Sequence, residues 1–442
     1  IINEPQDGSP AKRAGLRPGD VILKINNDTV TPDMPVDQVS KRLRGQAGTD
    51  ITIKVRRPYV DDSLLTFSFV RENIKVNPLP YYGIDSDGIG YIRLTTFNEA
   101  SARRVREAVA DMLKNPALKG IILDLRSNGG GLLEGAVQIA ANFVPKGTEI
   151  VRTKGREKRD VKIFKTTSQP LDTKIPLAIL TDGGTASASE IVAGSMQDLD
   201  RAVIVGERSY GKGLVQTPRA LPYGDLMKIT TGRYYIPSGR LIQALDYSHR
   251  NDDGSPMRTP DSLTNEFRTR AGRIVRDGGG ITPDIKVEEP KSNRLLYNIV
   301  ADMWAFDFAN KKYAQQPQAP DSLVTDAVFE EFKGFIDPAR FKYDRQCESA
   351  LSYLKESAKL EGYMTDSVAA QFDILAGMLK HDLNHDLDIN REQIKEILDT
   401  ELASRYYDEG SRVARILPTD SAYQKAKSAL LDPEAYRRLL SK

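Results

Sequence analysis

Three short apolar runs, separated by segments of helical pattern, constrain the fold of this 442-residue chain more than any other feature. The runs are Gly120–Leu125, Ile175–Leu180 and Ala202–Val205. Each has the length and apolar character of a buried strand. Strands that alternate with helices pack as a sheet covered by helices. The sequence therefore predicts an α/β core with a mixed sheet in the middle of the chain.

The composition limits the classes of function. The chain has 63 basic and 61 acidic residues, a net charge of +2, which argues against a dedicated nucleic-acid binder. Hydrophobic residues make up 40%, as in soluble globular proteins. No apolar run reaches the roughly 18 residues that a membrane span needs. Cys347 is the only cysteine, so no intrachain disulfide can form. The length indicates two or three domains.

We expect an α+β multidomain protein with three parts. Residues 1–73 are rich in strand patterns, and residues 74–290 contain the α/β core. Within the core, residues 146–169 are polar and poorly periodic, which predicts an exposed insertion or a β-ribbon. Residues 291–442 show amphipathic helical patterns and predict a helical domain. The simplest role for these helices is packing and a homodimer interface.

A serine and a lysine in the middle of the chain can form a nucleophile and its base. Ser187 follows a glycine turn and begins a helical pattern, and Lys212 lies between two glycines. A serine hydroxyl needs a base to take its proton. None of the histidines, His249, His381 and His385, lies in a motif that would supply this base. A lysine that burial keeps neutral can replace histidine.

The same stretch offers donors for a developing oxyanion. A helix start presents free N–H groups and a positive dipole end, so the amide of Ala188 is one candidate. The glycine turn after Leu125 can expose a second amide, with Gly130 as the candidate. Each residue has a plainer alternative: Ser187 alone is more often a helix cap, and Lys212 alone a surface lysine.

Four separated motifs, TASASE, GERSYGKGLVQ, DLRSNGGG and GGGITPDI, resemble those of the carboxy-terminal processing peptidases, a family of tail-specific serine proteases. The resemblance covers residues 1–290. It implies that Ser187 is the nucleophile, Lys212 the base and Gln216 a support for the lysine. It also implies that Gly130 donates to the oxyanion, and that neither a cofactor nor a metal is needed.

The chain departs from the family pattern at two positions beside the site. Gly129 stands where the family often has proline, and Asp182 where it often has asparagine. A carboxylate that reached Lys212 would favour the charged lysine and oppose catalysis. We therefore predict that Asp182 points elsewhere and caps the turn at Gly184.

The N-terminal segment GSPAKRAGLRPGDVILKIN resembles a bacterial PDZ domain. Such domains hold an extended peptide tail between a strand and a helix. Here the helix is predicted over 35–44, and the expected substrate-binding residues on its face are Val36, Val39 and Leu43. We expect the partner strand to precede Ile1. The alternative is a small β domain that binds no peptide.

The resulting functional hypothesis is a serine endopeptidase that cleaves protein substrates near their free C-terminal tails, aided by the PDZ domain. The resemblance further implies a periplasmic or membrane-anchored protein facing the cell envelope, with any signal or anchor upstream of this chain. The alternative function is a catalytically inactive scaffold that binds peptide tails.

Two other motifs suggest different chemistry. Residues 206–212 fit the first seven positions of a phosphate-binding loop, but Gly213 stands where serine or threonine should bind magnesium. The sequence after Lys212 is also extended rather than helical. His381 and His385 are four apart on a predicted helix, a spacing that can bind zinc, but a solvated helix face is the better explanation.

Overall fold

The computed structural model describes residues 1–60, 63–251, 253–288 and 293–441. They divide into two compact units. One unit comprises Ile1–Lys75 with Pro290–Arg412, and the other comprises Val76–Glu289 with Val413–Lys442. The expected boundary between residues 290 and 291 lies outside the described residues.

The N-terminal 75 residues form a small antiparallel sheet with two helices. Its elements are α1 Pro10–Arg13, β1 Val21–Ile25, β2 Asp28–Thr29, α2 Val36–Leu43, β3 Asp50–Arg56 and β4 Leu64–Val70. The strand order is β2-β1-β3-β4. Alternate residues of β3 point inward, so that Ile51, Ile53 and Val55 are buried. The PDZ-like fold predicted for this segment is consistent with this architecture.

The central segment is built on a six-stranded mixed sheet. Its elements are β5 Tyr81–Ile84, β6 Ile89–Arg93, α3 Ser101–Met112, β7 Gly120–Asp124, α4 Leu133–Ala140, β8 Glu149–Lys154, β9 Val161–Lys165, β10 Leu177–Thr181, α5 Ala188–Asp198, β11 Val203–Gly206, β12 Leu214–Ala220, β13 Leu226–Tyr235, β14 Leu245–Arg250, β15 Pro256–Arg258, β16 Glu266–Arg268, β17 Ile274–Arg276 and β18 Ile285–Lys286.

The sheet order is β18-β11-β10-β7-β6-β5, in which only β5 runs antiparallel to its neighbour. The three apolar runs of the sequence are the adjacent strands β7, β10 and β11, which confirms the predicted mixed-sheet core. Parallel strands end at the same edge of a sheet, so the loops after β7, β10 and β11 lie together.

A second sheet, of order β12-β13-β8-β9, is antiparallel. The polar segment at 146–169 supplies the ribbon β8–β9 of this sheet. Within the described residues, β12 pairs only with β13 and forms the edge.

The rest of the chain is helical. The helices are α6 Arg294–Ala301, α7 Trp304–Gln315, α8 Asp326–Phe335, α9 Gln346–Leu360, α10 Asp366–Met378, α11 Leu383–Ile389, α12 Arg391–Tyr406, α13 Glu409–Ile416, α14 Ser421–Leu431 and α15 Pro433–Leu440. Residues of α6, α7, α8, α11 and α12 enclose one apolar core. Among the described residues, no helix combines the length and apolar character that crossing a bilayer requires.

The last two helices belong with the central sheet. One face of the sheet packs against α3, α4 and α5, and its other face against α14. Neighbouring residues of β10 show this division: Ile179 lies in the first cluster and Leu180 in the second. The sequence assigned all helices of 291–442 to one domain, whereas the structure divides them between the two units. An amphipathic pattern shows that a helix has an apolar face but not which surface receives it.

Candidate active site

Ser187 lies at the junction of β10 and α5, where its backbone is strained. It is the N-cap residue of α5, with φ 59° and ψ −115°. A residue with a Cβ atom rarely adopts a positive φ, and such strain occurs preferentially at functional sites. Because Ser187 is the N-cap of α5, the helix start predicted at this residue is present.

Glu190 connects the serine and lysine loops through a single carboxylate. Its Oε2 accepts hydrogen bonds from the backbone N–H of Ser187 at 2.8 Å and of Lys212 at 2.9 Å. Its Oε1 accepts from Ser209 Oγ at 2.5 Å and from the N–H of Gly211 at 2.7 Å. Glu190 is fully buried, and this burial raises the pKa of its carboxyl group, although the four donors oppose the shift.

Lys212 lies in the loop between β11 and β12, beside a cavity of about 490 Å³. Gln216 lines the same cavity, together with Gly129 and Ala186. Gly211 has a φ of +86°, and a Cβ atom there would overlap Ala244, so the loop accepts no side chain before the lysine. Among the described residues, the side-chain amine of Lys212 forms no ion pair with a carboxylate, and no hydrogen bond joins it to the Ser187 hydroxyl.

The two predicted oxyanion donors both lie next to Ser187. Gly130 has a φ of +94°, and a Cβ atom at this position would be 2.8 Å from Ser187 Cβ. Its amide donates to Asn128 Oδ1 at 2.9 Å. Within the described part of the chain, the amide of Ala188 has no hydrogen-bond acceptor. One of the two donors is therefore free, and the other is available to a substrate only when it leaves Asn128.

Asp182 caps the turn before the serine, as predicted. Its Oδ1 accepts from the N–H of Gly184 at 2.9 Å and of Thr185 at 2.8 Å. The same carboxylate accepts from the N–H and the Oγ of Ser127, at 2.8 and 2.9 Å. Ser127 has a φ of 55° in the loop that carries Gly130. Asp182 thus also fastens the two loops together, a role that the sequence did not indicate.

A charged cluster lies where β7 enters the Gly130 loop. Asp124 is fully buried and contacts Arg126, Arg93 and the hydroxyl of Tyr91. Burial alone would raise the pKa of Asp124, but the two arginines outweigh it and hold the pKa below its ordinary 3.8. Arg126 also pairs with Asp420, at the start of α14, at 2.6 Å. This ion pair therefore joins the start of α14 to the loop that carries Gly130.

The three predicted peptide-binding residues of the N-terminal domain do not share one environment in the structure. Val36 is 78% exposed, while Val39 and Leu43 pack against the domain core. An apolar cavity of about 400 Å³ has Leu43, Ile2 and other apolar side chains in its lining. Val36 and Val39 are not in that lining, so the structure brings only Leu43 of the three to the cavity.

The structure disfavours the two alternative motifs. A strand, β12, follows Lys212 where a phosphate-binding loop would need a helix. His381 precedes α11 rather than sharing a helix with His385, and its Nδ1 lies 2.6 Å from Asp386 Oδ2. In the described ranges, no group of three or more potential metal ligands is assembled.

Sequence reasoning missed Glu190, although a signal for part of its role was present. Ser187 and Glu190 have the Ser-x-x-Glu spacing of a capping box, in which the glutamate accepts from the N-cap amide. Its bonds to Ser209, Gly211 and Lys212 join segments about twenty residues apart, and no local pattern predicts them.

Three protein-family models match the chain. "Peptidase family S41" matches residues 88–247. A PDZ domain model matches residues 1–57, and "Probable PDZ-protease, C-terminal helical domain" matches residues 295–430. The peptidase match contains the loops after β7, β10 and β11. It therefore includes Ser187, Glu190, Lys212 and Gln216, whereas Asp420 lies outside it.

Several curated proteins are similar over part of their length. The carboxy-terminal-processing protease of Bartonella bacilliformis is 38% identical over 292 residues, which are 65% of this chain and 58% of that protein. The chloroplastic C-terminal processing peptidase of Tetradesmus obliquus is 32% identical, over 56% of this chain and 55% of its own. A probable CtpA-like serine protease of Staphylococcus epidermidis is 29% identical, over 81% of this chain and 63% of its own. The alignments thus span less than two thirds of each relative. These matches and the mixed-sheet core support a carboxy-terminal processing peptidase, in which residues 88–247 are similar to peptidase family S41.

Proposed function

We propose that this protein is a serine endopeptidase in which Ser187 is the nucleophile and Lys212 its general base. The observation that carries the proposal is the Glu190 carboxylate, one oxygen of which binds the amides of both residues within 3 Å. Twenty-five positions apart in sequence, the two residues share one rigid anchor. A shared anchor of this kind fixes the geometry that proton transfer requires.

The reaction proceeds through an acyl-enzyme. Neutral Lys212 Nζ takes the proton of Ser187 Oγ as the oxygen attacks the peptide carbonyl carbon. The amides of Ala188 and Gly130 hold the oxyanion, and the lysine then gives its proton to the departing amine. Lys212 next removes a proton from water, which hydrolyses the ester. The family resemblance implies that Gln216, which lines the same cavity as Lys212, supports the lysine.

The described residues around Lys212 include no carboxylate that forms an ion pair with its side chain. This side chain is half-buried in a loop between two glycines. Asp182, five residues before Ser187, accepts hydrogen bonds from Ser127, Gly184 and Thr185 instead.

The substrate is a protein that presents an extended C-terminal tail. The free edge of β12 begins two residues after Lys212, so an extended segment can add to the sheet beside the base. We propose that the tail end docks in the apolar cavity of residues 1–75 that Leu43 lines. The similarity to bacterial and chloroplastic processing proteases supports an extracytoplasmic site of action. We also propose that the C-terminal helices form the interface of a homodimer.

Cleavage of casein tests the proposal. Ser187→Ala and Lys212→Ala are each expected to reduce the rate of cleavage by at least about 10³-fold. The matched control is Lys228→Ala, which removes an exposed lysine from β13 and should cleave at the wild-type rate. If Ser187→Ala cleaves casein at the wild-type rate, Ser187 is not the nucleophile. If Lys212→Ala does so, Lys212 is not the base. A wild-type protein that binds tail peptides but leaves casein intact would identify an inactive scaffold.

A further inference from the structure

Tyr234 has a buried hydroxyl group that the fold does not explain. The residue is 3% exposed and lies near the end of β13. Its phenol oxygen has no hydrogen-bond partner among the described residues. A buried hydroxyl without a partner is costly, and phenylalanine would fill the same space without this cost. The hydroxyl is therefore a candidate for a functional role.

The position of Tyr234 relates it to both proposed catalytic residues. Strand β13 runs antiparallel to β12, and the backbone N–H of Tyr234 donates to the carbonyl of Gly213 at 3.0 Å. That carbonyl belongs to the residue directly after Lys212. The ring belongs to the same buried cluster as Ala188, the first residue of α5. Among the described residues, the Glu190 carboxylate and the Ser187 side chain both act on the pKa of the phenol.

The environment keeps the phenol protonated. Burial raises the pKa of Tyr234 well above its ordinary value of 10, and the negative charge of Glu190 raises it further, against a smaller opposing effect of Ser187. At neutral pH the hydroxyl is consequently a neutral group with a proton to donate.

We propose that the Tyr234 hydroxyl is a further catalytic group, which donates a hydrogen bond to Ser187 Oγ as that oxygen loses its own proton. The inference rests on the proposed function, since it takes Ser187 as the nucleophile. The serine proton moves to Lys212, and Tyr234 keeps its own. Negative charge grows on Oγ during this step, and a hydrogen bond to a charged oxygen is stronger than one to a neutral hydroxyl.

The same bond acts again when the acyl-enzyme breaks down. Ser187 Oγ is then the leaving group and regains negative charge until Lys212 returns a proton to it. A donor that strengthens its bond only while Oγ is charged lowers the barrier without tightening substrate binding. The predicted signature is therefore a loss in kcat with an unchanged KM.

Tyr234→Phe tests this inference because it removes the hydroxyl and keeps the ring. We expect kcat for a peptide substrate to fall about 10- to 100-fold, with KM within about twofold of wild type. The rate at which a fluorophosphonate phosphonylates Ser187, with loss of fluoride, should fall by a similar factor. The thermal unfolding midpoint should stay the same or rise, because the lost hydroxyl has no partner in the resting structure. The matched control is Tyr235→Phe, the next residue of the strand, which should match wild type.

Two results would overturn the inference. One is a kcat of Tyr234→Phe within twofold of wild type, and the other is a loss of kcat accompanied by a lower unfolding midpoint, which indicates a structural role. Ser187→Ala is measured in parallel to separate this inference from the proposed function. If Ser187→Ala is active, the proposed function fails. If it is inactive while Tyr234→Phe behaves as wild type, only the role of Tyr234 fails.

Discussion

At the scale of single residues, the site depends on carboxylates that bind backbone amides rather than substrate. Glu190 holds the loops of Ser187 and Lys212, and Asp182 holds the serine turn to the Ser127 loop. A carboxylate has two oxygens that only accept, so it can collect several N–H donors from different loops. Such anchors fix the positions of reacting groups before a substrate arrives.

Replacement of Glu190 by glutamine should lower activity without unfolding the protein. The amide nitrogen cannot accept, so at least one pair of the four donors loses its partner. We expect a fall in kcat of at least about tenfold and a loss of about 1–3 kcal/mol in the free energy of unfolding. Peptidase assays and chemical denaturation measure the two effects. The control is Glu134→Gln, an exposed glutamate of α4, and a wild-type kcat for Glu190→Gln would contradict the anchoring role.

The residues proposed to perform the chemistry were easier to identify from the sequence than those that position them. Ser187 and Lys212 stand in motifs with a family resemblance. The turn-capping position of Asp182 was predicted because a carboxylate that reached Lys212 would oppose catalysis. The bonds from Glu190 to the lysine loop, and from Asp182 to Ser127, depend on which strands are neighbours in the sheet. That order is a property of the tertiary fold and has no local signal in the sequence.

At the scale of elements, the loop after β7 is held by a buried ion cluster. Asp124 has a pKa below 3.8 because Arg126 and Arg93 outweigh the effect of its burial. A carboxyl group whose pKa is lowered by folding stabilises the native state above its unfolded pKa. This contribution is lost as the pH falls through the pKa of the folded state.

Asp124→Asn should therefore change how stability depends on pH. At pH 7 the variant should be less stable than wild type, since its arginines lose the buried charge that pairs them. As the pH is lowered through about 4 toward about 2, wild type should lose stability faster, and the difference between the two proteins should shrink. Urea denaturation at several pH values measures this difference. A difference that stays constant across the acid range would show that Asp124 is not the titrating group.

Elements differed in how well the sequence predicted them. The strands β7, β10 and β11 were clear because both faces of a central parallel strand are buried, which makes the run continuous. The sequence did not indicate that α14 covers the central sheet, because its apolar face would fit a helix bundle as well as a sheet. Its placement rests on contacts such as Arg126–Asp420, which joins residues 294 positions apart.

At the scale of the whole molecule, the unit that contains the candidate active site is formed from two separate parts of the chain. Residues 413–442 return to the unit that contains 76–289, and α14 supplies one side of the core around β7, β10 and β11. Buried side chains of this layer include Leu417, Tyr423 and Leu430. Each buries apolar surface worth about 1.5–3 kcal/mol, so the layer contributes a large part of a typical domain stability.

Truncation after Arg412 should consequently disable the peptidase although every proposed catalytic residue remains. The exposed face of the sheet would destabilise the core, and we expect loss of casein cleavage together with a lower thermal unfolding midpoint or aggregation. Circular dichroism and the casein assay test this expectation. A truncated protein that cleaves casein at the full rate would contradict the assignment of α14 to the unit that contains the candidate active site.

The central proposal is that Lys212 activates Ser187. The most direct measurement is the rate at which a fluorophosphonate phosphonylates Ser187, with loss of fluoride, in wild type, Lys212→Ala and the control Lys228→Ala. We expect Lys228→Ala to react at the wild-type rate, and Lys212→Ala to react at least about 10²-fold more slowly. Phosphonylation of Lys212→Ala at the wild-type rate would contradict the assignment of the base.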